Sequence, residues 1–345
     1  MTNLVRHRLF WPTVVLVVLL VSNLIFSDNF FRITLQDGHL YGSLIDILRR
    51  SAPLVLVALG MTLVISTGGI DLSVGSVMAI SGALACLLIG DLSNPDAVGP
   101  VLLVIGAAIA LCLVFGLWNG FLVAVLGIQP IIATLILMVA GRGVAQLITD
   151  GQILNVHSAP YRVIGAGYFL GVPVSFLIAA VAVGLTVALT RRTALGLLLE
   201  SVGGSPTASR LAGIRARRIT IMVYVFAAAF AGVAGLIYSS DVSSADSNAA
   251  GNLIELNAIL AVVLGGTALT GGRFSIAGSV LGAVIITTLD ITAVSVGVPV
   301  ETTLLFKAVV VIILCLAQSA TFRAKVFGRF GSGSRSGSPR AEVAA

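Results

Sequence analysis

The stretch "STGGIDLSVGSV", residues 66–77, decides how the chain folds, because it interrupts a sequence that is apolar almost throughout. It places two adjacent glycines, Gly68 and Gly69, and the carboxylate of Asp71 inside a hydrophobic run. A charged side chain at the centre of a membrane helix costs about 2.5–3.5 kcal/mol on insertion scales. The stretch therefore indicates a turn between two helices rather than the middle of one helix.

The composition is that of an integral membrane protein. Of 345 residues, 58% are hydrophobic and 10% are charged, and the mean hydropathy is +1.10. Soluble domains carry about 25% charged residues, so a chain this apolar cannot cover itself with a polar surface. The net charge of +6 would suit nucleic-acid binding in a soluble protein. Here the basic residues fall between hydrophobic runs, so membrane topology explains them and no nucleic-acid partner is expected.

Hydrophobic runs predict ten transmembrane spans. A span needs about 20 mostly apolar residues, and each span is expected to be helical because backbone groups in lipid must be satisfied within the segment. The runs lie near 10–26, 52–66, 73–90, 101–126, 130–148, 172–190, 219–239, 253–267, 274–290 and 301–319.

Arginine and lysine set the expected orientation, because cytoplasmic loops are enriched in both. The segment 191–218 holds six arginines against one glutamate, and the tail 320–345 holds five basic residues. We therefore expect a cytoplasmic N-terminus (1–9), a transmembrane domain (10–319) that includes the cytoplasmic loop 191–218, and a disordered cytoplasmic tail. The outer loop 27–51 is an exception, because it carries three arginines, and we expect a helix on the membrane interface there.

An internal repeat relates two parts of the chain. "TGGIDLSVGSV" (67–77) aligns without gaps to "TGGRFSIAGSV" (270–280), and six of eleven positions are identical. The runs 52–66 and 253–267 that precede them are short for a span. Paired short, glycine-interrupted spans are typical of duplicated transporters, whereas chance similarity in a glycine-rich chain is the alternative. The predicted fold is an all-α integral membrane protein of about ten transmembrane helices in two related halves. The predicted structural turns are at Gly68, Gly69, Gly271 and Gly272.

Asp71 has two interpretations. As the N-cap of a helix that begins near Leu72 it would recover about 1 kcal/mol, which is less than its cost at full membrane depth. Surrounding protein, water or a nearby interface must therefore compensate. Since Phe274 stands at the aligned position of the second copy, the turn itself does not need a carboxylate. We favour a structural turn over a direct role in gating or coupling.

Polar and aromatic residues inside the spans are candidates for a translocation pathway. Such a residue is a functional-site hypothesis by default, but Asn and Gln also link helices to each other, and both interpretations stay open. Arg142 and Gln146 are four residues apart and so share a helix face, and we expect Arg142 to pair with Glu255. The pathway candidates are Asp71, Trp118, Asn119, Arg142, Gln146, Glu255 and Asn257.

Three long motifs resemble the permease subunits of ribose/galactose-type sugar ABC importers. They are "GMTLVISTGGIDLSVGSVMAISGAL", "GLWNGFLVAVLGIQPIIATLILMVAGRGVAQLITDGQ" and "ELNAILAVVLGGTALTGGRFSIAGSVLGA". Within this family, "LQDGHLYGSLIDILRRSAP" and "LTGGRFS" are most similar to permeases of galactofuranose importers. The chain departs from many members at Arg273 or Phe274, where they have Gly, and at Asn257, where they have Asp.

The resemblance implies a set of partners and a place in the cell. These are a cytoplasmic ATP-binding subunit, which would bind the ATP and Mg, a periplasmic sugar-binding protein, and a second permease that is a related but different chain. It also implies the bacterial inner membrane, with both termini cytoplasmic. The sequence contains no G-x-x-x-x-G-K-[ST] phosphate loop. We therefore expect no cofactor and no enzymatic activity in this chain.

The loop 191–218 corresponds to the ATPase-docking segment of the family. Ser205 is a suitable N-cap and Pro206 a suitable first helical residue, so we expect a short helix over 205–213. We expect Glu200 and the following glycines to break the helix before it. The alternative is that the arginines serve topology alone. The residues expected to couple this chain to an ATPase are Glu200, Gly203, Ser205, Ala208, Arg210 and Gly213.

Two other functions are alternatives to an importer permease. A proton-coupled secondary sugar transporter also uses repeats and broken helices, but it needs a carboxylate deep in a span. The acidic candidates lie near predicted span ends instead: Asp71, Glu255, Asp290 and Glu301. A membrane enzyme or a metal site needs a cluster of His, Cys or paired acids, and the three histidines fall in termini or loops: His7, His39 and His157.

Overall fold

The computed structural model describes residues 9–26, 30–36 and 38–318. Most of the predicted N-terminal segment and the predicted tail lie outside these residues. The helices are α1 (Phe10–Phe26), α2 (Ser43–Ser66), α3 (Val74–Gly90), α4 (Val98–Ala124), α5 (Pro130–Ile148), α6 (Ala159–Ala166), α7 (Val174–Arg192), α8 (Leu195–Gly204), α9 (Pro206–Leu211), α10 (Ala216–Val242), α11 (Ile254–Leu264), α12 (Ile276–Ser295) and α13 (Val300–Gln318).

Short antiparallel strand pairs connect some of the loops. The strands are β1 (Thr34–Gln36), β2 (His39–Tyr41), β3 (Leu154–Asn155), β4 (Tyr168–Phe169), β5 (Val172–Pro173) and β6 (Ser244–Ala245). β1 pairs with β2, β3 with β6, and β4 with β5. The β3–β6 pair joins loops that lie far apart in the sequence, which fixes the loop after α5 against the end of α10.

A helix occupies each of the ten predicted hydrophobic runs. Within the described residues, six helices are long and apolar enough to cross a membrane: α2, α4, α5, α7, α10 and α12. Among the rest, α11 has 11 residues, which is about 16 Å at 1.5 Å per residue and agrees with the short span expected there. The number of spans and the division into two halves stay predictions.

The predicted short span at 52–66 is wrong, because α2 runs without interruption for 24 residues from Ser43. The predicted run begins at 52, one residue before Pro53, which lies inside this helix. Proline removes one helical hydrogen bond and leaves the carbonyl four residues earlier without its donor. Here the hydroxyl of Ser175 on α7 lies 3.5 Å from the carbonyl oxygen of Arg49 and donates to it. The neighbouring helix thus compensates for the proline.

The core is built around α10, whose second half is rich in alanine and glycine. Glycines on the helices packed against it allow backbones to touch. A Cβ added to Gly60 of α2 would lie 2.7 Å from the Cα of Ala227, and one added to Gly235 of α10 would lie 2.2 Å from the carbonyl oxygen of Met78. Small residues at such contacts let transmembrane helices approach closely. Gly60 and Gly235 therefore hold α2 and α3 tightly against α10.

The loops fall at two ends of the bundle, which we call the turn end and the far end. The turn end contains 67–73, 125–129, 193–215 and 265–275, whose residues contact one another. At the far end, the hydroxyl of Ser158 donates to the carbonyl of Pro95 (2.6 Å), and Arg49 forms an ion pair with Asp241 (3.1 Å). The segment 191–218 therefore lies at the turn end, whereas the start of α2, which belongs to the expected outer loop 27–51, lies at the far end.

Candidate functional site

A cavity of about 490 Å³ lies at the far end between α2, α3, α10, α11 and α12. This volume is within the range of about 300–1,000 Å³ that is usual for small-molecule sites. Its walls combine apolar side chains with polar ones, and the ring of Tyr238 lies on one side. The polar side chains that line it are Ser43, Asp46, Arg50, Asn252, Asn257, Thr287, Asp290 and Ser295.

Lys307 links two of these polar side chains from outside the cavity lining. It extends from α13, and its Nζ lies 2.6 Å from Oδ1 of Asp290 on α12 and 3.4 Å from Oδ1 of Asn257 on α11. The side chain of Lys307 is 12% exposed, whereas that of Asp290 is 43% exposed. The ammonium is therefore buried behind the carboxylate, and it fixes Asp290 and Asn257 next to each other at the cavity.

Arg142 and Gln146 share a face of α5, as predicted, and both hold the segment 246–253, which forms part of the cavity wall. Nη1 of Arg142 donates to the carbonyls of Ser247 (2.7 Å) and Ala250 (2.6 Å). Nε2 of Gln146 donates to Oδ1 of Asn248 (2.8 Å). Neither Arg142 nor Gln146 lines the cavity. Their hydrogen bonds stabilise the shape of its wall.

The predicted direct pair between Arg142 and Glu255 is wrong, because the guanidinium is taken up by the two carbonyls. Glu255 is buried and packs instead against α3, where a Cβ added to Gly75 would lie 2.5 Å from its Oε2. The two residues therefore help to join α3, α5 and α11 without forming an ion pair.

The remaining pathway candidates lie in different places. Asn257 lines the cavity. Trp118 is 51% exposed on the outer face of α4, beside the exposed Leu117 and Phe121, and it does not line the cavity. Asn119 is buried at the other side of α4, where its Nδ2 donates to the hydroxyl of Ser73 (2.8 Å). Of the predicted pathway residues, only Asn257 lines the cavity.

Asp71 is buried in protein at the turn end. Its Oδ1 accepts hydrogen bonds from the backbone N–H (2.9 Å) and the hydroxyl (2.6 Å) of Ser73. Helix α3 begins at Val74 rather than Leu72, and Ser73 is its N-cap residue, so the expected N-cap position of Asp71 is wrong. Asp71 instead closes the turn two residues before the helix. Asn119 holds Ser73 from α4 and completes the buried polar cluster.

The two similar glycine turns contact each other at Gly203. The N–H of Gly272 donates to the carbonyl of Ser66 (2.9 Å). Gly203 of α8 packs on this bond so closely that an added Cβ would lie 1.8 Å from the oxygen of Ser66 and 2.5 Å from the nitrogen of Gly272. Helix α8 ends at Gly204, so the predicted break before Ser205 is present, but Glu200 and Gly203 lie within the helix and do not break it. Gly203 instead allows α8 to pack closely against the main chain of both glycine turns.

The predicted short helix after this contact is present as α9. Pro206 is its first residue, and the hydroxyl of Ser205 accepts from the N–H of Ala208 (3.2 Å), as expected for an N-cap. Gly213 follows with a φ of 82°, a left-handed conformation that glycine adopts without strain. Arg210, together with Tyr224 and other residues of the turn end, lines a second cavity of about 370 Å³.

Sequence reasoning missed the ion pair at the cavity. From the sequence, Asp290 is only a proton-relay candidate and Lys307 is not among the candidates, although it is a charged residue within the run 301–319. An ionisable residue in a predicted span is a functional-site hypothesis with a partner to be found. That rule would have singled out Lys307. Only the fold, however, brings Lys307 to Asp290 and Asn257.

Long apolar helices around a polar cavity define a helical integral membrane protein. The chain belongs to the family described as "branched-chain amino acid transport system / permease component", whose family profile matches residues 43–315.

Several curated relatives match along nearly their whole length. The galactofuranose transporter permease protein YtfT of Escherichia coli (strain K12) is 46% identical over 334 residues, which cover 95% of this chain and 96% of that protein. The fructose import permease protein FruF of Bifidobacterium longum is 42% identical over 323 residues (92% and 89%). The ribose import permease protein RbsC of E. coli (strain K12) is 36% identical over 310 residues (89% and 92%). No solved structure matches the chain.

Proposed function

We propose that this chain is the transmembrane permease subunit of a bacterial ABC importer that moves a monosaccharide, galactofuranose or a similar sugar, across the inner membrane. The observation that carries the proposal is the 46% identity to a galactofuranose permease over 95% of the chain. Relatives at 42% and 36% identity are a fructose and a ribose permease. All three of these relatives are therefore named as sugar permeases.

The far-end cavity is where we expect the sugar to enter. Sugars are neutral and present hydroxyl groups and apolar ring faces, so they need hydrogen-bonding side chains and an aromatic surface rather than a countercharge. The cavity supplies amide and hydroxyl groups together with Tyr238. Because α2, α3, α11 and α12 surround it, a relative movement of these helices would extend the cavity towards the turn end.

Energy would enter at the turn end, from an ATPase on a separate subunit. The capped helix α9 is short and carries the exposed Leu211 and the basic Arg210, which suits docking into a groove of a partner. Only Ser205 separates α9 from α8, and α8 carries Gly203 on the Ser66–Gly272 hydrogen bond. A force on α9 would therefore reach both glycine turns through α8.

The full assembly proposed here contains a cytoplasmic ATP-binding subunit, a periplasmic sugar-binding protein and a second, related permease. The turn end would face the cytoplasm, because 191–218 carries six arginines. Both termini would lie on that side, about ten spans would form two related halves, and the far-end cavity would face the periplasm.

The test is sugar uptake by proteoliposomes that contain this chain with its candidate ATPase, binding protein and second permease. One set of vesicles has ATP at the cytoplasmic face, and a second set has only a proton gradient. We expect uptake in the first set alone, and its loss when Arg210→Glu disrupts the docking helix. Uptake driven by the proton gradient without the ATPase would contradict the proposal and favour a secondary transporter.

A further inference from the structure

We propose that the far-end cavity binds the sugar directly through Asp290 and Asn257, with Lys307 as the residue that positions them. This inference rests on the proposed function and adds to it a binding site and the chemistry by which the site recognises its ligand. Neither Asp290 nor Lys307 belongs to a turn or to the segment expected to contact an ATPase.

The charges around the cavity favour a neutral ligand. Two acidic side chains, Asp46 and Asp290, are matched by two basic ones, Arg50 in the lining and Lys307 directly behind it. Asp290 is paired with Lys307 at 2.6 Å, so its charge is already compensated before any ligand enters. A ligand with a net charge would gain little electrostatic energy from a site whose charges are already paired, whereas a polyhydroxylated molecule would gain hydrogen bonds.

Asp290 and Asn257 offer a complementary set of hydrogen-bonding groups. Lys307 bonds to Oδ1 of each side chain, which leaves Oδ2 of the carboxylate as an acceptor and Nδ2 of the amide as a donor. Such a pair matches neighbouring hydroxyls on a sugar ring, since each hydroxyl both donates and accepts. Charge-assisted hydrogen bonds of the carboxylate are the stronger ones, so Asp290 should dominate the affinity.

Tyr238 supplies an aromatic surface for the ligand. Its ring lies on α10, half-buried in the cavity wall, and the more deeply buried side chains of Met78 and Leu54 also line the cavity. A tyrosine combines an apolar face with a polar tip, so the apolar face of a sugar ring can pack on it while the hydroxyls meet α11 and α12. The cavity volume of about 490 Å³ is ample for one monosaccharide with water.

The experiment is saturation-transfer-difference NMR on the full-length chain in lipid nanodiscs, which detects weak binding. The probes are D-galactose, D-fructose and D-ribose, with L-leucine as a comparison because the family description names branched-chain amino acids. We expect saturation of the sugars and not of leucine. The variants Asp290→Asn and Asn257→Ala should bind sugar about tenfold more weakly or worse, as expected when hydrogen bonds between the ligand and these side chains are lost.

A double variant separates binding from folding. Asp290→Asn alone leaves Lys307 as an uncompensated, largely buried charge, which is destabilising, so the melting temperature should fall. The double variant Asp290→Asn/Lys307→Met removes both charges and should regain stability while sugar binding stays weak. Asp91→Asn is the matched control, because it removes an exposed carboxylate at the same end but outside the cavity lining, and it should keep wild-type binding.

Each alternative result has a defined meaning. If the double variant regains both stability and sugar binding, the ion pair is only structural and the inference is wrong. Preferential saturation of leucine, or no saturation of any sugar by the wild-type chain, would overturn it as well. These results leave the proposed function standing if the wild-type complex shows ATP-driven sugar uptake. Failure of that uptake would instead contradict the proposed function.

Discussion

Gly203 shows how a single residue can control a contact between three segments. A methyl group at this position would overlap with the carbonyl of Ser66 and crowd the nitrogen of Gly272, so the main chain would have to move. We predict that Gly203→Ala costs about 1–3 kcal/mol through overpacking and strongly reduces ATP-driven uptake in proteoliposomes. Melting temperature and uptake rate are the two measurements.

The next residue provides the control for this prediction. A Cβ added to Gly204 would have no atom within 4 Å, so Gly204→Ala should keep wild-type stability and uptake. Equal behaviour of the two alanine variants would show that the contact at Gly203 has no mechanical importance.

Asp71 distinguishes a structural turn from a coupling residue. Asparagine keeps an oxygen that can accept from the N–H and hydroxyl of Ser73, so Asp71→Asn should retain folding and most of the uptake. Asp71→Ala removes the acceptor for two buried donors, and leaving such groups unpaired costs about 1–3 kcal/mol. Thermal melting and ATP-driven uptake test both variants. A stable Asp71→Asn protein without uptake would show that the carboxylate itself takes part in coupling.

At the scale of elements, Arg142 of α5 holds the segment 246–253 in place. Its two hydrogen bonds to carbonyls, 2.7 Å and 2.6 Å long, are of the charged kind that contributes about 1.5–3 kcal/mol each. We predict that Arg142→Ala lowers the melting temperature and increases hydrogen exchange in 246–253. Arg162→Ala, on the exposed side of α6, is the control and should change neither. Unchanged exchange in the Arg142 variant would mean that β6 and α11 hold the segment without it.

The elements that the sequence predicted correctly are those whose signal is local. Long apolar runs produce helices wherever backbone groups must be satisfied internally, and the serine–proline pair at 205–206 produces a capped helix. The predicted run begins at 52, whereas α2 begins at Ser43 and continues through Pro53. Its compensation comes from Ser175, more than a hundred residues later, and no local pattern contains that information.

The candidate site could not be predicted from local sequence patterns either, because it is formed by residues that lie far apart in the chain. Asn257 was identified as a polar residue in a span, but its neighbours Asp290 and Lys307 belong to other helices. Arg142 was given a carboxylate partner by charge alone, whereas the fold provides two backbone carbonyls. Sequence position predicts which side chains are unusual in a membrane, but the packing of helices decides which of them meet.

For the whole molecule, the two ends should lie on opposite sides of the membrane. Leu170 at the far end is 88% exposed and Leu211 at the turn end is 87% exposed, so each can be replaced by cysteine with little effect on folding. Cys86 and Cys112 are buried, and Cys315 can be changed to serine. We predict that a membrane-impermeant maleimide labels Leu170→Cys in intact cells but labels Leu211→Cys only after permeabilisation. The reverse pattern would invert the proposed orientation.

The contact at Gly203 also limits how this protein can change over generations. The nearest atoms around it belong to the main chain of Ser66 and Gly272, so no side chain is available whose size could be adjusted in small steps. Most packed interfaces evolve by substitutions that replace one side chain with another of similar size on either partner. At Gly203 no such exchange of side chains is possible. We therefore expect the residues around this contact to vary in evolution while the glycine itself is retained.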